Sequence, residues 1–305
     1  MSHSLEKFVA DITATLPKDR PVLIAGPTAS GKSGLAMELA RQAGGTIVNA
    51  DAMQVYSNWR VLTARPSAED EMSLPHALYG HVPGDRDYST GQWMREIKPI
   101  LADLSRPIVV GGTGLYFAAL TEGLADIPAI PKTVHAQAAA LIGEGEMGWM
   151  IEQLDPDTRA RIDTQNPMRV QRAWEVQKAT GRGLAAWQDD TPPPTLELGD
   201  CFPILVDADT DWLNARIEKR FDQMLRGGAV MEARNNLPNW DPAWPSAKAI
   251  GAPVLIAHLQ GRLSLAEAQE SSVIATRQYA KRQRTWFRAR MSGWNKVRAE
   301  ALQGH

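Results

Sequence analysis

The chain has 305 residues, 44% of them hydrophobic and 22% charged, with a formal net charge of −2. That length holds one large domain or two modest ones, and the near-neutral balance excludes a uniformly basic coat for nucleic acid, so any such contact must be local. A single cysteine, Cys201, excludes an intramolecular disulfide and a cysteine metal cluster. No apolar run approaches a membrane span, and the opening "MSHSLEKFVADITATL" carries acids and lacks a signal-peptide core, so a cytoplasmic protein is expected.

In chain order, "PVLIAG" (Pro21 to Gly26) reads as a buried parallel strand closed by glycine. The segment from Lys32 to Ala43 has helical spacing, "TIVNAD" (Thr46 to Asp51) is a second strand, and "PIVVGGTG" (Pro107 to Gly114) a third. Between about Ala125 and Pro194 helical stretches replace β-branched runs. "TPPPTLELGD" (Thr191 to Asp200) is a turn or linker, and "CFPILVDAD" (Cys201 to Asp209) is a return strand. Helices are expected from there to the end, including one from Ser264 to Met291. The expected fold is α/β: a P-loop-type parallel sheet flanked by helices, with a helical insertion and a helical C-terminal part. The core takes 1–124 and 201–305, the insertion 125–200.

"GPTASGKS" comprises Gly26, Pro27, Thr28, Ala29, Ser30, Gly31, Lys32 and Ser33 and fits G-x-x-x-x-G-K-[ST]. Glycines let the backbone turn tightly, and successive N–H groups then face phosphate oxygens at the positive end of a helix. Lys32 adds a cation, and the Ser33 hydroxyl suits Mg2+, which usually bridges such phosphates. This predicts diphosphate binding without saying which molecule carries it. A kinase or NTPase would add a magnesium-binding aspartate at a strand end. Asp51, Asp207 and Asp209 are placed for that, whereas the third strand ends in "GGTG" with no acid.

Further motifs narrow the choice. "NADAMQVYSNWRVLTARP", "PHALYGHV", "VVGGTGLYFAAL", "RVQRAWEV", "RIEKRFDQML" and "ATRQYAKRQRTWFR" follow the cradle in order. Over roughly residues 20 to 290 this chain resembles the tRNA dimethylallyltransferases, the adenosine prenyltransferases of tRNA. The resemblance implies that the cradle holds the pyrophosphate of dimethylallyl diphosphate and that the prenyl group moves to N6 of an adenosine next to the anticodon (position 37). Asp51, at a strand end beside the cradle, is then the candidate general base or substrate-orienting carboxylate; an Asp capping the next helix or binding magnesium is the alternative. Thr113 would hold the base edge or a phosphate oxygen, or else is a turn threonine. Arg216 and Arg220 lie four apart on a helix and would close over the phosphates, or else form a solvated face.

The segment Ser271–Arg298 has eight Lys/Arg and no Asp/Glu. Arg277, Lys281, Arg284 and Arg288 form one stripe, with Tyr279, Ala280, Trp286 and Phe287 on another side. A phosphate-tracking stripe is favoured over a merely solvated face. The adenine must leave its stack to react, and Asp51, Ala52, Met53 and Gln54 are placed to read it. The resemblance extends the tRNA-binding set to Thr113, His135, Met168, Arg169, Val170, Gln171, Arg172, Lys248, Gly251, Arg277 and Lys281, with the insertion gripping the anticodon stem. The remaining histidines lack metal-ligand spacing and read as structural. The chain departs from the family pattern at Ala52 (usually Ser), Asn166 (where an acid is usual) and Ala252 (usually Tyr). A monomer acting on tRNA and dimethylallyl diphosphate is expected. The rivals are a small-molecule P-loop kinase, a prenyltransferase acting on free adenine nucleotides, and a non-catalytic RNA-binding protein with a dead cradle, against which the intact Lys32, Ser33 and Asp51 argue.

Overall fold

A computed structural model describes residues 2–16, 20–104 and 106–302. Six strands form one sheet: β1 (Val22–Ala25), β2 (Thr46–Asn49), β3 (His76–Ala77), β4 (Pro107–Gly111), β5 (Phe202–Asp207) and β6 (Asn295–Arg298). Their order is β3-β2-β4-β1-β5-β6, and every pairing is parallel. β1 and β4 are buried at every position, as expected of apolar runs covered on both faces.

The helices before the insertion are α1 (Ser2–Thr15), α2 (Lys32–Ala43), α3 (Ala68–Ser73), α4 (Thr90–Asp103) and α5 (Gly114–Thr121). Five more follow: α6 (Lys132–Gly143), α7 (Met147–Glu152), α8 (Pro156–Arg161), α9 (Pro167–Thr180) and α10 (Leu184–Asp189). After β5 come α11 (Thr210–Arg226), α12 (Ala229–Asn236), α13 (Ala252–Leu259) and α14 (Leu265–Arg290). The longest, α14, is started by a capping box between Ser264 and Glu267, which satisfies two otherwise orphaned N–H groups. No described helix is long and apolar enough to cross a membrane.

Two compact units result: Met1–Thr121 with Leu196–His305, and Glu122–Thr195. Leu196 already belongs with the sheet, since its N–H donates to the Leu120 carbonyl at 3.1 Å. The second unit has its own core, built from Ala138, Met150, Leu154, Val170, Ala173 and Trp174.

The expectation of helices alone after β5 is corrected by β6, which pairs with β5 from Ile204↔Asn295 to Asp207↔Arg298. Its sequence, Asn-Lys-Val-Arg, has no apolar run, because an edge strand buries little: only Val297 is even half-buried. The two-residue β3 at the other edge is likewise too short to show in the sequence.

Candidate active site

The sheet topology brings three loops together. Strands β2, β4 and β1 are neighbours, so the loops at their carboxyl ends share one crevice, the usual ligand position of such sheets.

The loop after β1 is the cradle. A Cβ on Gly26 would lie 2.9 Å from Ser30 Oγ and from the Val206 carbonyl, so glycine is required there. Ala29 (φ 64°) and Gly31 (φ 91°) hold left-handed backbone that turns the chain into α2. Lys32 folds back so that its Nζ donates to the Pro27 carbonyl at 3.2 Å. Burial pulls the Lys32 ammonium down to about 8; Asp51 opposes this and Arg220 adds to it. Helix α11 lays two guanidiniums on the loop: Arg216 Nε donates to the Ala29 carbonyl (3.0 Å) and Arg220 Nη1 to Thr28 Oγ1 (3.3 Å). Burial lowers the pKa of Arg220, the neighbouring Asp51 opposing it. Ser30 Oγ is buried with no hydrogen-bond partner among the described residues. Such an enclosed, cation-rich loop favours an anion.

The loop after β2 presents Asp51. Buried Asn49 fixes it from both sides: its Oδ1 accepts from Asp51 N–H (2.8 Å), and its Nδ2 donates to the carbonyls of Asp51 and Leu78 (both 3.0 Å). Asp51 Oδ1 accepts from Met53 N–H at 2.9 Å. The loop after β4 presents Thr113, whose Oγ1 accepts from Ala52 N–H at 2.9 Å while its own N–H donates to the Ala50 carbonyl at 3.1 Å. Gly111 makes this approach possible, since a Cβ there would sit 2.0 Å from the Ala50 oxygen. Thr113 is therefore both a turn threonine and the brace of the Asp51 loop.

All three loops open into one cavity of about 570 Å³. Its lining is mixed: Thr28, Asp51, Thr113, Arg220 and Tyr279 are among the polar residues, and Ile217, Phe221, Met224, Ile250 and Trp286 among the apolar ones. Tyr279 is held neutral: burial first, then Asp51, pushes its hydroxyl well above the ordinary phenol range. A cavity lined by apolar and aromatic side chains with a few convergent polar groups is the usual form of a small-molecule site.

The other anticipated residues divide by location. Met53 and Lys248 line the cavity. Gln54 Nε2 is engaged by the fold: it donates to the Thr63 and Ala64 carbonyls (2.8 and 3.2 Å), bracing the loop that brings Leu62 and Thr63 to the cavity. Gly251 (φ 96°) starts α13, with Leu62, Phe221 and Ser272 packed round it. In the stripe on α14, Arg277 pairs with Glu218 (2.9 Å) and Arg284 donates to Thr210 Oγ1 (2.6 Å). Both partners come from α11, so the absence of acids within the segment does not leave the whole stripe free. Lys281 and Arg288 are exposed.

In the second unit, Met168, Arg169 and Arg172 are exposed, whereas Val170 is fully buried in that unit's core and cannot touch RNA. Gln171 is buried and donates to Glu175 Oε1 (2.8 Å), the atom that His135 Nδ1 also meets (2.7 Å). Consecutive residues on a helix face different ways, so a contiguous pentapeptide cannot present one surface.

Sequence reasoning missed four contributors. Asn49 and Glu232 are polar residues whose partners are backbone groups; Glu232 accepts from the N–H groups of Arg60 (2.5 Å), Val61 (2.8 Å) and Leu62 (3.0 Å). Arg282, not Lys281, lines the cavity. Gln283 is buried between cradle and glycine turn; a lone amide on the same face as Tyr279, Ala280, Trp286 and Phe287 was the available signal.

The chain is similar to known tRNA prenyltransferases. The IPP transferase family model matches residues 54–290, and the isopentenyl transferase model residues 20–79. The tRNA dimethylallyltransferase of Ruegeria sp. strain TM1040 is 59% identical over 94% of this chain and 98% of its own length. That of Cereibacter sphaeroides strain ATCC 17029 is 58% identical over 93% and 90%. The crystal structure of the tRNA isopentenylpyrophosphate transferase of Bacillus halodurans superposes with a TM-score of 0.65 at 28% identity, covering 92% of this chain and 90% of that one. With its sheet, cradle and glycine turn in place, the chain belongs to the IPP transferase family, the tRNA dimethylallyltransferases.

Proposed function

We propose that this enzyme transfers the dimethylallyl group of dimethylallyl diphosphate to N6 of the adenosine next to the anticodon of tRNA, releasing diphosphate. The observation that carries this reading is the placement of a phosphate cradle, a carboxylate and a braced threonine on adjacent strand ends around one part-apolar cavity.

In this reading the diphosphate lies against the loop amides, Lys32, Arg216 and Arg220. The allylic C–O bond breaks as charge builds on the leaving diphosphate, and these donors stabilise that charge. The adenine, turned out of its stack, brings its amine to the allylic carbon. As the C–N bond forms, Asp51 accepts the N6 proton. Thr113 keeps the Asp51 loop in place and offers its hydroxyl to the base edge. The five-carbon chain rests on the apolar lining residues, which keep water from the allylic cation.

Magnesium fits the donors at the cradle. The Ser33 hydroxyl lies in the first turn of α2, directly after the cradle glycine Gly31 and Lys32. That suits an ion held by one protein hydroxyl and substrate phosphates; when bound it neutralises the departing diphosphate. Lys248 and Arg282 at the cavity, with Lys281 and Arg288, supply cations for RNA phosphates. The protein acts in the cytoplasm as a monomer. Size-exclusion chromatography with light scattering tests the monomer. Labelled dimethylallyl diphosphate offered with tRNA, and separately with AMP or ATP, tests the reaction; label only on free nucleotide, or ATP turnover without transfer, favours one of the rivals.

A further inference from the structure

Gln283 is a polar side chain, 6% exposed, in the middle of α14. Its Oε1 accepts the Thr28 N–H of the cradle at 2.9 Å, and its Nε2 donates to the Gly112 carbonyl at 2.8 Å. Gly112 is fitted to it: a Cβ there would lie 2.3 Å from Gln283 Nε2 and 3.4 Å from Asp51 Oδ2. Gly112 immediately precedes Thr113, which holds the Ala52 N–H beside Asp51. One amide therefore joins the anion side of the cavity to its carboxylate side through Thr28, Gln283, Gly112, Thr113 and Ala52.

The chemistry of the join is specific. One partner is an obligate donor and the other an obligate acceptor, so a group with one donor and one acceptor is needed. A carboxylate of the same shape keeps the bond to Thr28 but sets a negative oxygen against the Gly112 carbonyl, close to where an anion would lie. We propose that Gln283 is the positioning residue that fixes the distance between the diphosphate cradle and the Asp51–Thr113 pair. The proposal rests on the reading of the cavity as a prenyl-transfer site.

The test uses Gln283→Leu, which removes both backbone bonds and the side-chain hydrogen bond with Tyr279 at similar volume, and Gln283→Glu, which keeps the bond to Thr28. Affinity for inorganic pyrophosphate with magnesium is measured by calorimetry, and the single-turnover transfer rate at saturating dimethylallyl diphosphate and tRNA. The expected rate loss is about 100-fold in both variants, the scale of a misplaced reacting group, with tRNA affinity within about threefold of the parent. Pyrophosphate affinity should be highest in the parent, lower in Gln283→Leu and lowest in Gln283→Glu. A group that merely packs the helix would place Gln283→Glu at or above Gln283→Leu, because the carboxylate retains one hydrogen bond. Acidification adds a second signature. Once protonated, the introduced carboxyl regains a donor for Gly112, so the ratio of Gln283→Glu to parent transfer rate should rise as pH falls from about 8 to about 5.5. The calorimetric order tests Gln283 even if no variant, nor the parent, prenylates tRNA, a result that would sink the functional reading instead. Pyrophosphate affinity unchanged in Gln283→Leu, or Gln283→Glu binding better than Gln283→Leu with a pH-invariant ratio, would overturn the proposal.

Discussion

Asp51 and Lys32 carry the account at the scale of single residues. Asp51 accepts one backbone hydrogen bond on Oδ1 and has its second oxygen beside Gly112. Asp51→Ala should therefore lower single-turnover transfer by about 10²–10⁴-fold, the range of a lost general base, with tRNA affinity nearly unchanged. Near-normal transfer by that variant removes Asp51 from the mechanism. Lys32 makes a pH prediction. Its ammonium in the free protein titrates near 8 because burial disfavours the charge. A bound diphosphate favours the charged form and raises that pKa, so binding takes up a proton between the two values. The Lys32 contribution to pyrophosphate affinity, taken as the ratio of parent to Lys32→Met so that the ligand's own ionisation cancels, should be constant below about pH 7 and fall as pH rises through 8, by at most about tenfold per unit. Calorimetry in two buffers of different ionisation enthalpy would reveal the proton uptake. The same shift acts on stability with a definite sign. The unfolded chain holds this proton up to about 10.5 and the folded one only to about 8, so Lys32 contributes stability that increases with pH across that window.

At the scale of elements, the loop from Arg60 to Leu62 depends on a carboxylate from α12. Glu232 accepts three consecutive backbone N–H groups, and Leu62 and Thr63 line the cavity. Glu232→Ala leaves those donors without their partner, at a cost of about 1–3 kcal/mol. Hydrogen exchange at Arg60, Val61 and Leu62 should accelerate at least tenfold, and KM for tRNA should rise more than kcat falls. Unchanged exchange would show that the loop is held by other means. What was legible in the sequence follows the same logic. Strands β1, β2, β4 and β5 are apolar runs, and α2 and α14 begin at local signals, so each could be seen without its neighbours. Asn49 and Glu232 could not, because their partners are backbone groups and only the folded sheet and helices give those pairings a purpose; Gln283 left one signal, an amide on the aromatic face of α14, but its partners too are backbone groups of distant loops. The stripe on α14 needs the same context: charge balance along one helix says nothing of Glu218 and Thr210, which arrive from α11.

At the scale of the whole molecule, the cavity is lined entirely by the unit that contains the sheet. The inserted unit has a core of its own, and the chain on either side of it is tied by the Leu196–Leu120 hydrogen bond. Replacing residues 122–195 by a short flexible linker should leave magnesium-dependent pyrophosphate binding within about threefold of the parent while weakening tRNA binding by an order of magnitude or more. Loss of pyrophosphate binding in a folded variant would show that the insertion completes the cradle. Binding of tRNA by the intact protein should also weaken steeply with added salt, since each RNA phosphate that the protein neutralises releases counterions.

The most direct test of the central claim is product analysis. The purified enzyme is given magnesium, labelled dimethylallyl diphosphate and unmodified tRNA bearing adenosine next to the anticodon, and the RNA is digested to nucleosides. The account predicts label in N6-dimethylallyladenosine at that position and stoichiometric release of diphosphate. Label confined to added AMP or ATP, or magnesium-dependent ATP hydrolysis with no prenylated adenosine, would contradict it.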